Sequence, residues 1–187
     1  MKLNIITLAL LILSFGSCKN DGKLNDPKSS SQQIKGDDVF RVKFNLTLKK
    51  DDNLCLYYTH DGSINFNDKE TVWIPLKGNE TAQDIVFELP ESVIPSFIRI
   101  DFGSGKNLEQ SDVALKVFEM SYNGKISKSN GAEILNYFVP FEPYTKVTPN
   151  TSVLQRLKKD QTAGPILYPK ETQTAKINEL TRGESPE

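Results

Sequence analysis

Four side chains, Tyr57, Trp73, Arg99 and Asp101, have the types that carbohydrate recognition uses. An aromatic platform stacks on the C–H faces of a sugar, and planar charged groups hydrogen-bond its hydroxyls. Catalytic chemistry finds much less to work with. The single histidine, His60, stands in a turn beside Asp61-Gly62, where a histidine is ordinarily solvated and inert. The chain contains no GxSxG, HExxH or CxxC pattern, and its two cysteines and one histidine cannot furnish a clustered zinc site. No catalytic residue, metal or cofactor is therefore assigned. Residues 61–68 place oxygen-bearing side chains on alternate positions, as calcium loops do. Counted from Asp61, however, Phe66 stands where such a loop needs glycine, and Val72 where it needs a bidentate glutamate. A long polar hairpin with Phe66 tucked inward is the simpler reading.

The four candidates must be positioned by strands. In residues 38–48, Phe40, Val42, Phe44, Leu46 and Leu48 alternate with Arg41, Lys43, Asn45 and Thr47, a strand with one dry and one wet face. Residues 54–103 then read as four short strands separated by turn chemistry. Leu54, Leu56 and Tyr58 alternate with Cys55, Tyr57 and Thr59, both sets apolar enough for a central strand covered on two sides. Cys55 reads there as a small buried hydrophobe. Val72, Ile74 and Leu76 form a core set opposite Trp73. Ile85, Phe87 and Leu89 follow, and then Ile98, Ile100 and Phe102 opposite Arg99 and Asp101. By parity all four candidates point away from the core. Either they form an open platform, or the C-terminal segment covers the two aromatics and leaves Arg99 and Asp101 as a surface pair.

Beyond residue 105 the pattern loosens. Residues 113–122 suggest a strand whose apolar phase changes near Phe118, as at a bulge. Asn123-Gly124 is a strong hairpin signal, returning through residues 125–128. Residues 131–138 fit a short helix or a strand, the helix being favoured. The prolines at 140, 143 and 149 among Phe138, Phe141 and Tyr144 suggest an irregular crossing. Residues 152–157 fit a last strand. A terminal helix starting at Pro169 would bury Ile177 and Leu180. The fold expected is all-β, an antiparallel sandwich of jelly-roll or immunoglobulin-like type with a short C-terminal helix.

The 187 residues carry a formal net charge of −1, which leaves no basic face for nucleic acid. At the start, Lys2 precedes an apolar run from Ile5 to Leu13, too short to span a bilayer but suited to a signal peptide. Gly16, Ser17 and Cys18 resemble the lipobox of bacterial lipoproteins, with Phe15 where leucine is usual. That resemblance implies lipidation of Cys18 as the first mature residue. The alternative is a plain secretory signal with an incidental cysteine. Residues 19–37 are polar, with a serine run, and read as a flexible tether reaching roughly 25 Å. The chain thus divides into a signal peptide (1–17), a lipidated cysteine and tether (18–37), a β-sandwich (38–160) and a C-terminal extension with a short helix (161–187). The setting implied is the cell envelope, anchored to the outer membrane through lipid on Cys18.

The order Tyr57-Tyr58-Thr59, Phe66, Val72, Pro75-Leu76, Phe87-Glu88-Leu89-Pro90 and Arg99-Ile100-Asp101-Phe102-Gly103 carries a second resemblance. It is similar to a small β-sandwich module that accompanies some glycosyltransferases and envelope polysaccharide proteins, and that occurs in short Bacteroidota-type lipoproteins. The resemblance spans about residues 40–122. It implies a sandwich, an envelope setting and glycan contact, and it transfers no ligand residues. Two functions compete: a lipid-tethered module that binds glycans, or an assembly lipoprotein that binds another envelope protein.

Overall fold

The computed structural model describes residues 38–103 and 107–182. The signal peptide, Cys18 and the tether lie outside the described residues. Two antiparallel sheets face each other as an all-β sandwich. The first holds β1 (Arg41–Leu48), β4 (Gln83–Glu88), β6 (Val113–Tyr122), β7 (Lys125–Asn130), β9 (Thr145–Val147) and β10 (Val153–Arg156). Its order is β4-β1-β6-β10-β9, with β7 also paired to β6. The second holds β2 (Asp52–Thr59), β3 (Thr71–Leu76), β5 (Phe97–Phe102), β8 (Phe138–Pro140) and β11 (Ile166–Pro169), in the order β3-β2-β5-β11-β8. One helix, α1 (Glu171–Thr181), follows.

The alternating apolar sets meet where parity places them. Phe40, Val42, Phe44, Leu46 and Leu48 are all fully buried, as are Ile98, Ile100 and Phe102 in the opposite sheet. Phe44 is the hub. Its ring lies 5.2 to 6.4 Å from those of Phe87 and Phe118 in its own sheet and Phe102 and Phe138 in the other. Burying such a ring contributes about 2–3 kcal/mol, so this cluster joins the two layers.

The irregularities have local causes. Asn45 pairs with Val117 but Leu46 pairs with Leu115, which leaves Lys116 as the extra residue of a bulge. Val113 and Leu115 are therefore buried before it, and Phe118 and Met120 after it. Asn123 and Gly124 both take positive φ, 47° and 79°, as the tight hairpin between β6 and β7 requires. Gly164 has no alternative at its position. A Cβ there would stand 1.6 Å from the Phe102 carbonyl oxygen, because the chain entering β11 passes directly against β5.

The C-terminal third departs from the expected pattern. Residues 131–136 form a 3-10 helix burying Ile134, and the irregular crossing contains two three-residue strands, β8 and β9, one in each sheet. The 161–187 segment contributes β11 to the second sheet, so β10 is not the last strand. Pro169 ends β11, and the helix begins at Glu171. Ile177 and Leu180 are buried as expected, and so is Gln173. The Gln173 amide accepts from the Ile98 N–H at 2.8 Å and donates to the Ile98 carbonyl at 3.2 Å, tying α1 to β5.

Candidate binding face

The four candidate residues all lie on the outer face of the second sheet, and register sets their spacing. One rung runs Trp73, Cys55, Asp101, Ile166 across β3, β2, β5 and β11. The next runs Thr71, Tyr57, Arg99 across β3, β2 and β5. Continuing the antiparallel register places Tyr168 of β11 beside Arg99, and Tyr168 pairs in turn with Val139.

Arg99 and Asp101 close on each other. The Arg99 Nε donates to Asp101 Oδ1 at 2.7 Å and the Nη2 to Oδ2 at 2.5 Å, a bidentate pair whose side chains are only 18% and 13% exposed. The guanidinium carbon sits 4.6 Å from the centre of the Tyr57 ring and 4.9 Å from that of Tyr168. Phe66 leans edge-on against both tyrosines, and Phe141 packs on Tyr168 at 5.2 Å. Burial works to lower the Arg99 pKa, but its hydrogen bonds to Asp101 and that carboxylate's charge outweigh the burial and raise it. Burial pushes Asp101 up, and the guanidinium pulls it back only in part. The two partners are thus displaced in senses that favour and disfavour the ion pair. The pair of short bidentate bonds decides for the ionised state.

Trp73 is different. It is 51% exposed, and the C-terminal helix does not cover it, since α1 packs on β5, β6 and β7. The Cys55 thiol beside it is buried, and that burial, with Asp101 adding to it, pushes its pKa up to about 12. A thiol held protonated is a packing group and a poor nucleophile.

The loop 60–70 is built to cover part of this face. Asp61 accepts from the Ser63 N–H and hydroxyl, Asn67 from the Lys69 N–H, and Glu70 from the Asn67 amide. His60 is exposed and pairs through Nδ1 with Glu70 at 2.8 Å. Phe66 is held by these bonds against the outer face of the sheet, not inside the sandwich. Among the described residues, no group of three or more His, Cys, Asp and Glu could hold a metal ion.

The sheet therefore brings Tyr57, Arg99 and Asp101 together and keeps Trp73 apart, open on β3 and separated from Asp101 along its own rung by Cys55. Tyr168, Phe66 and Phe141 complete the covered cluster. For Tyr168 and Phe141 the sequence signal was the aromatic content around prolines at 140, 143 and 169, which carries no parity until the strands are assigned.

Compared with known protein families, curated proteins and solved structures, the chain matches none of them. Among the described residues no helix is long and apolar enough to cross a membrane.

Proposed function

We propose that the protein is a lipid-anchored envelope module that binds glycans on the outer face of its second sheet. The observation that carries this reading is Trp73, an indole half exposed on the outer face of β3, on a surface whose Arg99 and Asp101 neutralise each other. A covered Arg99–Asp101 pair needs no ligand to satisfy it, so the face is preorganised and the indole remains free to stack. Lipidation at Cys18 would hold the module in the outer membrane, with the tether giving it reach to polymeric partners.

Titration of intrinsic tryptophan fluorescence with envelope polysaccharides tests the reading directly, because Trp73 is the only tryptophan. Saturable quenching is expected, with at least about tenfold weaker binding measured by calorimetry in Trp73→Ala, the equivalent of a lost stacking contact. The absence of any response, or binding unaltered by that substitution, would sink it. Lipidation is tested by metabolic labelling with a palmitate analogue, which Cys18→Ala should abolish.

The second reading, an assembly lipoprotein that binds another envelope protein, is favoured by two apolar side chains. Ile64 is 61% exposed on the loop 60–70, and Val139 is 44% exposed on the edge strand β8. Edge strands offer unpaired backbone groups for strand addition. One dominant crosslinked protein partner, lost on Val139→Lys, would favour it over the glycan.

A further inference from the structure

The glycan reading leaves open how much of a polymer the face engages and of what charge, and a cleft on the same face answers both. Along β3, side chains two residues apart share a face, so Pro75 follows Trp73 by one rung, about 7 Å away. Pro75 is in register with Asn53, just as Trp73 is with Cys55. At that rung the surface opens into a cleft of about 490 Å³ lined by Asp51, Asp52, Asn53, Pro75, Leu76, Lys77 and Asn107. The cleft thus continues the Trp73 platform toward one end of the sheet.

Its lining is already organised internally, with one exception. Asp51 accepts from Lys77 Nζ at 2.5 Å and from the Gly78 N–H at 2.9 Å. Asp52 accepts from the side-chain amides of Asn107 and Gln110, both at 2.9 Å, and from the Asn53 N–H. The Asn53 side-chain amide, which is exposed, has no hydrogen-bond partner among the described residues. An amide offers both a donor and an acceptor, the combination that a sugar hydroxyl matches. Opposite it, Pro75 supplies an exposed apolar wall.

Charge selects the sugar. Lys77 is paired with Asp51, and among the described residues Asp52 has amides but no cation against it, so the described lining carries two carboxylates and one ammonium. A uronate or sulfated ring placed there would meet net negative charge, and like charges at such range repel. Resting on the proposed glycan function, the geometry points to a two-part groove for a neutral oligosaccharide, one ring stacked on Trp73 and the next hydrogen-bonded to Asn53 against Pro75.

The test is binding of the folded lipid-free chain to an array of neutral and uronate-bearing oligosaccharides, two to six residues long, with calorimetry on the best neutral ligand and its parent monosaccharide. Neutral oligosaccharides should bind, and the monosaccharide should bind at least about tenfold more weakly. Asn53→Ala should remove most of that tenfold gain; Trp73→Ala should weaken monosaccharide and oligosaccharide alike. Equal affinity for monosaccharide and oligosaccharide, no effect of Asn53→Ala, or preference for uronates would overturn the groove while the Trp73 platform stands. Failure of every glycan to bind would overturn the platform as well. Circular dichroism of Asn53→Ala, an exposed position, should match the parent, and Asn53→Gln offers a second variant that retains the amide.

Discussion

At the scale of single residues, Arg99 shows why surface parity alone does not define a ligand contact. An arginine facing outward from a strand is free to bind only if its faces and its donors are unspent. Here Tyr57 and Tyr168 stand over the guanidinium, and Asp101 takes two of its donors. The pair is dry enough that removing one partner strands the other's charge, which costs about 3 kcal/mol in such settings. Arg99→Met or Asp101→Leu should each lower stability by roughly that amount in chemical denaturation, and the double variant should cost less than either. Costs that simply add would mean that the pair is not coupled. Trp73→Ala, in contrast, removes a half-exposed ring, so its effect belongs to binding and not to folding.

At the scale of elements, the loop 60–70 acts as a lid fixed by its own side chains. Asp61 is the first of these, and its hydrogen bonds from the Ser63 N–H and hydroxyl hold its pKa below the ordinary carboxylate value. A depressed folded-state pKa means stability that is present above the unfolded value, near 4, and is lost as pH falls through the folded one. Asp61→Asn keeps the turn geometry and removes the charge. Thermal midpoints should therefore lie below the parent's at pH 7 and converge with them as the pH drops from about 4 toward 2. Curves that stay parallel over that range would show that the Asp61 charge does nothing for the loop. The same element carries Phe66 onto Tyr57 and Tyr168, so the loop's order and the covered half of the binding face are one property.

For the whole molecule, the two sheets and the helix are held by a few contacts that are distant in sequence. Hairpins within one sheet join only β2 to β3, β6 to β7 and β9 to β10. Most other connections cross between layers, so the Phe44 cluster must assemble from both sheets together. The helix is locked on by Gln173, whose amide satisfies both backbone groups of Ile98 seventy-five residues earlier. Gln173→Ala would leave a buried N–H and a buried carbonyl without partners, at about 1–3 kcal/mol each. The expected outcome is a lower urea midpoint with an unchanged denaturant slope. A change of less than about 0.5 kcal/mol would mean that the helix is not part of the cooperative unit.

What the sequence determined by itself is the sandwich and its inner faces. Period-two alternation is a local property, and strands of six to ten residues display enough of it to be read, including a phase break near Phe118, which the register then places at Lys116, and the hairpin at Asn123-Gly124. The same parity placed Trp73, Tyr57, Arg99 and Asp101 outward. The tertiary structure alone decided three things. It made strands of residues 138–140, 145–147 and 166–169, which are too short to show a period and are strands only because a neighbour pairs with them. It set Tyr168 beside Arg99, since register depends on which strands lie adjacent. And it divided four outward residues into a covered trio of Tyr57, Arg99 and Asp101 and one open indole, because exposure depends on what the loop at 60–70 and the strand β11 lay over each of them.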